Sequence, residues 1–236
     1  MKHVLILLTA LSLLLSLCSC NSVSPDNDGS SNGDVDHMTS VCSKDSVDEF
    51  MAIFGEKKGD GLLAGYSITK DNMYNVTPPH VAAKTDYRVF KASDSGASFI
   101  LIDGKIYTLC EWFGGHGFVN AVPCDFDGDG NTDLLVASSW GSGQHRSEIS
   151  VFNTVTKKST VLYTSLEDLI VMTSSPSFSS QGDPAALPIY YQVYAAKITV
   201  NDNNFANLSY VVTDVVGSVQ SENGTAVFLP AHSENP

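Results

Sequence analysis

The chain has 236 residues, is 43% hydrophobic and 9% aromatic, and carries a formal net charge of -13. That length and composition suit one ordinary domain that buries its own core without disulfide support, and they exclude an intrinsically disordered chain. Lys and Arg number 13 against 26 Asp and Glu and form no basic run, which excludes nucleic acid as a partner. Phosphate neutralisation needs clustered cations, whereas a negative field attracts them.

The first element is a targeting segment. Lys2 and His3 precede an uncharged apolar run, Val4 to Leu17, too short to span a bilayer and suited to a signal peptide core. The run ends in "LCSC", with Leu17 three residues before Cys20 and the small Ser19 directly before it. This motif resembles the lipobox of bacterial lipoproteins. The resemblance implies cleavage after Ser19, lipid on Cys20, and a domain held in water at a membrane surface of the cell envelope. Residues 1–19 are thus expected to be a lipoprotein signal peptide. Residues 20–39, rich in Ser, Asn, Asp and Gly, are expected to be a flexible acidic tether, because so few apolar residues cannot offset ordering entropy. Residues 40–236 are left as a single β-rich domain.

Within the domain, "SVDEFMAIFG" reads as a helix. Ser46 and Glu49 have capping-box spacing, Val47, Phe50, Met51 and Phe54 share one face, and Gly55 is placed to stop it. Strand signals follow. "SFILIDGKIYTL" reads as a hairpin around Asp103-Gly104, a pair suited to a type I′ turn. "DLLVASSW" reads as a strand, and "SEISVFNTVTKKSTVLYTS" as a second hairpin. "SLEDLIVM" reads as a short helix capped by Ser165. "LPIYYQVYAAKITV" and "NLSYVVTDVVGSVQ" are long β-rich runs, the second turning at Asn223-Gly224 into "TAVFLP". The expected fold is mainly antiparallel β, a sandwich or a partly open barrel, with one or two short helices. Cys42, Cys110 and Cys124 remain in the domain, and Cys110 and Cys124 are read either as a bridge or as buried thiols.

The densest chemistry is "CDFDGDGNTDLL". Counting Asp125 as position one, carboxylates fall at one, three, five and nine, namely Asp125, Asp127, Asp129 and Asp133. Asn131 stands at seven, where a backbone carbonyl serves, and Gly130 at six, where the chain turns sharply. Alternating oxygen ligands in a flexible loop are what Ca2+ takes, and without a cation such carboxylates repel one another. Position twelve is Val136 and not glutamate, so the loop is not an EF-hand. The stretch Asp125–Leu134 closely resembles the calcium loop of the FG-GAP and VCBS repeat families, where it joins two strands. The resemblance implies calcium on the four aspartates. Those families build propellers from many copies, and one copy in a chain this short does not make one. The wider stretch Gly96–Ser147 is similar to a segment recurring in bacterial secreted proteins, which implies a module and no particular activity.

Two glycine-rich turns, "EWFGGHGF" and "SWGSGQHRSE", bracket the loop and carry Trp112, His116, Trp140 and His145. They form a candidate ligand surface for a protein or glycan, since loops carry function. Ser142, His145 and Glu148 are close in sequence, but "GSGQH" lacks the G-x-S-x-G elbow and no other catalytic motif is present, so no catalytic residue is assigned. The expectation is a lipid-anchored, calcium-stabilised structural or binding module. The alternative is a secreted hydrolase of glycan or peptide with calcium in a structural role.

Overall fold

The computed structural model describes residues 37–57, 67–110, 114–174 and 190–231. They belong to one compact unit, Val35–Pro236. The signal segment, Cys20, nearly all of the tether and Trp112 lie outside the described residues.

The elements in chain order are β1 (His37–Thr39), α1 (Val47–Lys57), β2 (Met73–Asn75), α2 (Pro79–Ala82), β3 (Arg88–Ala92), β4 (Ser98–Ile102), β5 (Lys105–Thr108), β6 (Gly117–Cys124), β7 (Asp133–Trp140), β8 (Arg146–Asn153), β9 (Lys158–Ser165), β10 (Leu169–Ser174), β11 (Tyr190–Val200), β12 (Leu208–Glu222) and β13 (Thr225–Pro230). They form three antiparallel sheets. β2 to β5 make one four-stranded meander and β6 to β9 make another. The third runs β1-β12-β11-β10, with β13 also paired to β12. None of the three closes on itself among the described residues, so the architecture is a layered sandwich and not the partly open barrel.

The β6–β9 sheet is the middle layer. Phe118, Leu134, Val136 and Phe152 on one face pack with Val89, Ile100 and Leu109 of the β2–β5 sheet and its margin. Val119, Leu135, Ala137 and Ile149 on the other face pack with Leu169, Val171 and Val193 of the third sheet. On the outer face of the β2–β5 sheet, Val47, Phe50 and Phe54 of α1 meet Phe90 and Phe99. Phe50 anchors that contact, its ring 4.6 Å from Phe90 and 5.8 Å from Phe99 between centroids. Coverage on both faces explains why β4 and β7 read as unbroken apolar runs: each residue has a layer to enter whichever way it points.

Both tight turns form as expected. Asp103 and Gly104 have φ of 52° and 67°, and Asn223 and Gly224 have 51° and 74°, as a type I′ turn requires. Three expectations are corrected. Ser46 sits at φ 59°, which is not the extended geometry of a capping residue, so the capping box does not form. Gly55 does not end α1, which continues to Lys57. "SLEDLIVM" is not a helix: Ser165 ends β9, and Leu169, Ile170 and Val171 open β10 fully buried. Ladder pairing with β11 and burial against the middle sheet override the weak helical signal. β1, at the end of the expected tether, pairs with β12, and Ser40 continues the contact by a backbone bond to Leu208. Cys110 and Cys124 are not bonded to each other. Cys110 packs on the β2–β5 side of the middle sheet and Cys124 on the opposite side, which keeps the sulfurs apart.

Candidate functional site

The middle sheet carries chemistry at both ends. At one end lies the acidic turn from β6 to β7. Gly128 and Gly130, at φ 74° and 81°, allow it to fold back on itself. The Asp125 carboxylate accepts the Gly128 N–H at 2.9 Å and the Gly130 N–H at 3.2 Å. Asp127 accepts the Asp129 N–H at 3.2 Å, and Asp129 accepts the Asn131 N–H at 2.7 Å. This last bond holds the exposed Asp129 carboxyl below its ordinary range. The result gathers Asp125, Asp127 and Asp129, with one oxygen of each within 4.8 Å of the others.

Asp133 stands apart from that trio. It is buried at the start of β7 and accepts the Thr154 N–H at 2.7 Å and the Thr154 hydroxyl at 3.1 Å. Burial raises its pKa, Thr154 opposes the rise, and the charges of Asp127 and Asp129 add to it. Asn153 links the two groups, its Nδ2 donating to Asp127 at 3.1 Å and to Asp133 at 3.2 Å. The turn is tied down from outside as well. Ser221 donates to the Phe126 carbonyl at 2.5 Å, Tyr87 to the Thr132 carbonyl at 3.0 Å, and the buried Phe126 ring lies edge-on to Tyr191. The turn is therefore a positioned feature of three layers and not a loose loop. Its donors are all oxygen, the set that calcium prefers.

At the other end lie the glycine-rich turns. Gly114 and Gly141 form a bridge, and a Cβ on Gly114 would fall 2.5 Å from the Gly141 carbonyl oxygen. No side chain fits at Gly114 between these turns, and a Cβ on Gly141 would fall 2.3 Å from the Gln144 carbonyl oxygen of its own turn. The His116 N–H donates to Ser139 Oγ at 2.7 Å, and the His116 and His145 rings meet edge-on with centroids 5.0 Å apart. Between them lies Asp168, which the sequence reading did not single out. Its carboxylate is 2.7 Å from His145 Nε2 and 3.6 Å from His116 Nε2. Burial pushes the Asp168 carboxyl up, but the hydrogen bonds and charges of His116 and His145 together outweigh it and hold it below its ordinary value. His145 directs Nε2 to Asp168, so its nearness in sequence to Ser142 and Glu148 does not become a triad. Trp140 lies beside Arg146, 5.8 Å from ring centroid to guanidinium carbon. Its Nε1 and His116 Nδ1 are buried without a hydrogen-bond partner among the described residues.

Compared with protein-family models, with curated proteins and with solved structures, the chain matches none.

Proposed function

We infer that the chain is a calcium-stabilised β module, held outside the cytoplasm on a membrane of the bacterial envelope by lipid on Cys20, where it serves as a structural or binding protein for a protein or glycan partner. The observation that carries this reading is the gathering of Asp125, Asp127 and Asp129 on a turn whose own N–H groups already aim their carboxylates. Those three residues would hold the ion, with Asp133, from the calcium-loop resemblance, and Asn131, from its place at position seven, as the remaining candidates. Calcium would contribute charge neutralisation to a turn that fastens the middle sheet to its neighbours. A divalent cation that binds only the folded turn adds stability by mass action.

The test is a melting curve of the mature chain, carrying Cys20→Ser for solubility, in EDTA and then in calcium. At calcium 100-fold above its dissociation constant the gain is about 2.7 kcal/mol. For a chain of this size that is a rise of about 5–10 °C. Asp127→Ala and Asp129→Ala are expected to remove the rise while leaving the melting point in EDTA within a few degrees. An equal rise in those variants would place the calcium elsewhere and sink the reading.

The anchor has its own test. The wild-type protein is expected in the membrane fraction with incorporated labelled fatty acid, and Cys20→Ser in the soluble fraction without label. A Cys20→Ser protein that stays in the membrane fraction would remove the lipid from the account.

A further inference from the structure

His116, His145 and Asp168 are 29 and 23 residues apart in sequence, yet each occupies the same place in the fold. Each stands one residue before a strand: His116 before β6, His145 before β8 and Asp168 before β10. Because β6 to β9 form an antiparallel meander, β6 and β8 start from one rim of the middle sheet, opposite the acidic turn. β10 packs against β6, β7 and β8 and brings Asp168 to the same rim. Donors that each adjoin the start of a ladder-bound strand are fixed in position more firmly than donors along one free loop.

We propose that this rim is a second metal site, in which His116, His145 and Asp168 bind a divalent transition ion of the zinc type. The donor atoms fit. One ring nitrogen of each imidazole and an oxygen of Asp168 lie within 4.8 Å of one another. His145 Nε2 lies 2.7 Å from Asp168 Oδ1, and His116 Nε2 lies 3.6 Å from Asp168 Oδ2. Tetrahedral zinc with bonds of about 2.0–2.1 Å separates neighbouring ligand atoms by about 3.3 Å, and each imidazole already has one carboxylate oxygen close to that spacing. The chemistry fits too. Two neutral imidazoles and one carboxylate suit zinc-type ions and not calcium, which takes oxygen alone. Two histidines facing one carboxylate exceed what a single ion pair needs.

The site is also open. All three ligands are partly exposed, and a cavity of about 400 Å3, lined also by Asp94, Ser95 and Phe205, reaches His116 and His145. Three protein ligands facing a cavity leave a fourth position for water or a small ligand, as in zinc sites that are not purely structural. The orphaned His116 Nδ1 belongs to the same place, and buried polar groups without partners concentrate at functional sites.

The experiment is a zinc titration of the tag-free, metal-stripped mature chain against a chromophoric chelator, followed by cobalt as a spectroscopic substitute. One zinc per chain is expected, weakened at least 100-fold by His116→Ala and by Asp168→Ala. Cobalt is expected to give visible ligand-field bands that His145→Ala loses. Asp127→Ala is expected to leave both signals intact, which separates this site from the calcium turn. Variants are compared with wild type by circular dichroism and melting in EDTA. Should an alanine variant unfold, His116→Gln and His145→Gln replace it. Zinc uptake equal in wild type and in the folded His116→Gln/His145→Gln double variant would overturn the proposal, as would no uptake by wild type.

Discussion

Gly117→Ala is expected to cost more than about 3 kcal/mol, among the largest effects of any single methyl added to this chain. Gly117 begins β6 at φ 65°, a conformation that costs an ordinary residue about 1 kcal/mol or more. Space matters more here than conformation. A Cβ at this position would lie 1.9 Å from the Gly96 carbonyl oxygen and 2.9 Å from Ser98 Oγ. Both neighbours are committed. Ser98 Oγ donates to the Gly96 carbonyl at 2.6 Å and accepts the Phe118 N–H at 2.9 Å, a buried link between the first and middle sheets. The backbone at Gly117 must therefore move, and His116 moves with it. Gly104→Ala is the control, since Gly104 shares the left-handed geometry at φ 67° but faces open space. Urea unfolding of the two variants separates strain from collision. If Gly117→Ala lies within about 1 kcal/mol of Gly104→Ala, the close approach of the two sheets is not the constraint described here. Zinc binding by Gly117→Ala is expected to weaken along with stability, because one ligand sits on the displaced residue.

The layered fold was legible wherever a local rule and the tertiary environment agree. Asp103-Gly104 and Asn223-Gly224 set their own backbone angles, and the turns form whatever lies around them. The unbroken "FILI" and "LLVA" runs were legible as strands, and their lack of alternation follows from layers that cover both of their faces. β10 was missed for the opposite reason. "SLEDLIVM" has a capping serine and no turn dipeptide, and only the slots offered by β11 and the middle sheet make it a strand. At the candidate sites the division is similar. The acidic turn is contained in nine residues and could be read from spacing alone. The role of Asp133 could not, because its partners Asn153 and Thr154 lie across the β8–β9 turn. Asp168 was invisible beside two loop histidines. In retrospect all three ligands share a signal, a polar residue immediately before or near the opening of a buried β run, but it gains meaning only once the strand order puts those openings on one rim.

Lys91→Met is expected to stabilise the fold at neutral pH and below, by about 2–4 kcal/mol. Alternation along β3 puts Lys91 on the same face as Val89, toward the middle sheet, and only 1% of it is exposed. Its ammonium donates to the Phe118 carbonyl at 2.6 Å. Burial takes its pKa down to about 7, with the Cys110 and Cys42 thiols a smaller opposing influence. The unfolded chain holds this proton until about pH 10.4. Between pH 7 and that value the unfolded chain binds a proton that the folded chain has released, so this group makes stability rise with pH. Below pH 7 both states are protonated and the full penalty of burying the charge remains. At about 1.4 kcal/mol per pH unit the penalty is at most about 5 kcal/mol. Methionine removes it at nearly the same length, but leaves the Phe118 carbonyl without the lysine donor, at about 1 kcal/mol. The gain is therefore expected to be largest at pH 6.5 and mostly gone by pH 9.5, when read as the difference in urea unfolding free energy between variant and wild type. Taking that difference cancels the other groups that titrate over the same range. A variant less stable than wild type at pH 6.5 would show that the Lys91 hydrogen bond outweighs the cost of its charge. A gain that does not change with pH would show that the stabilisation comes from packing instead.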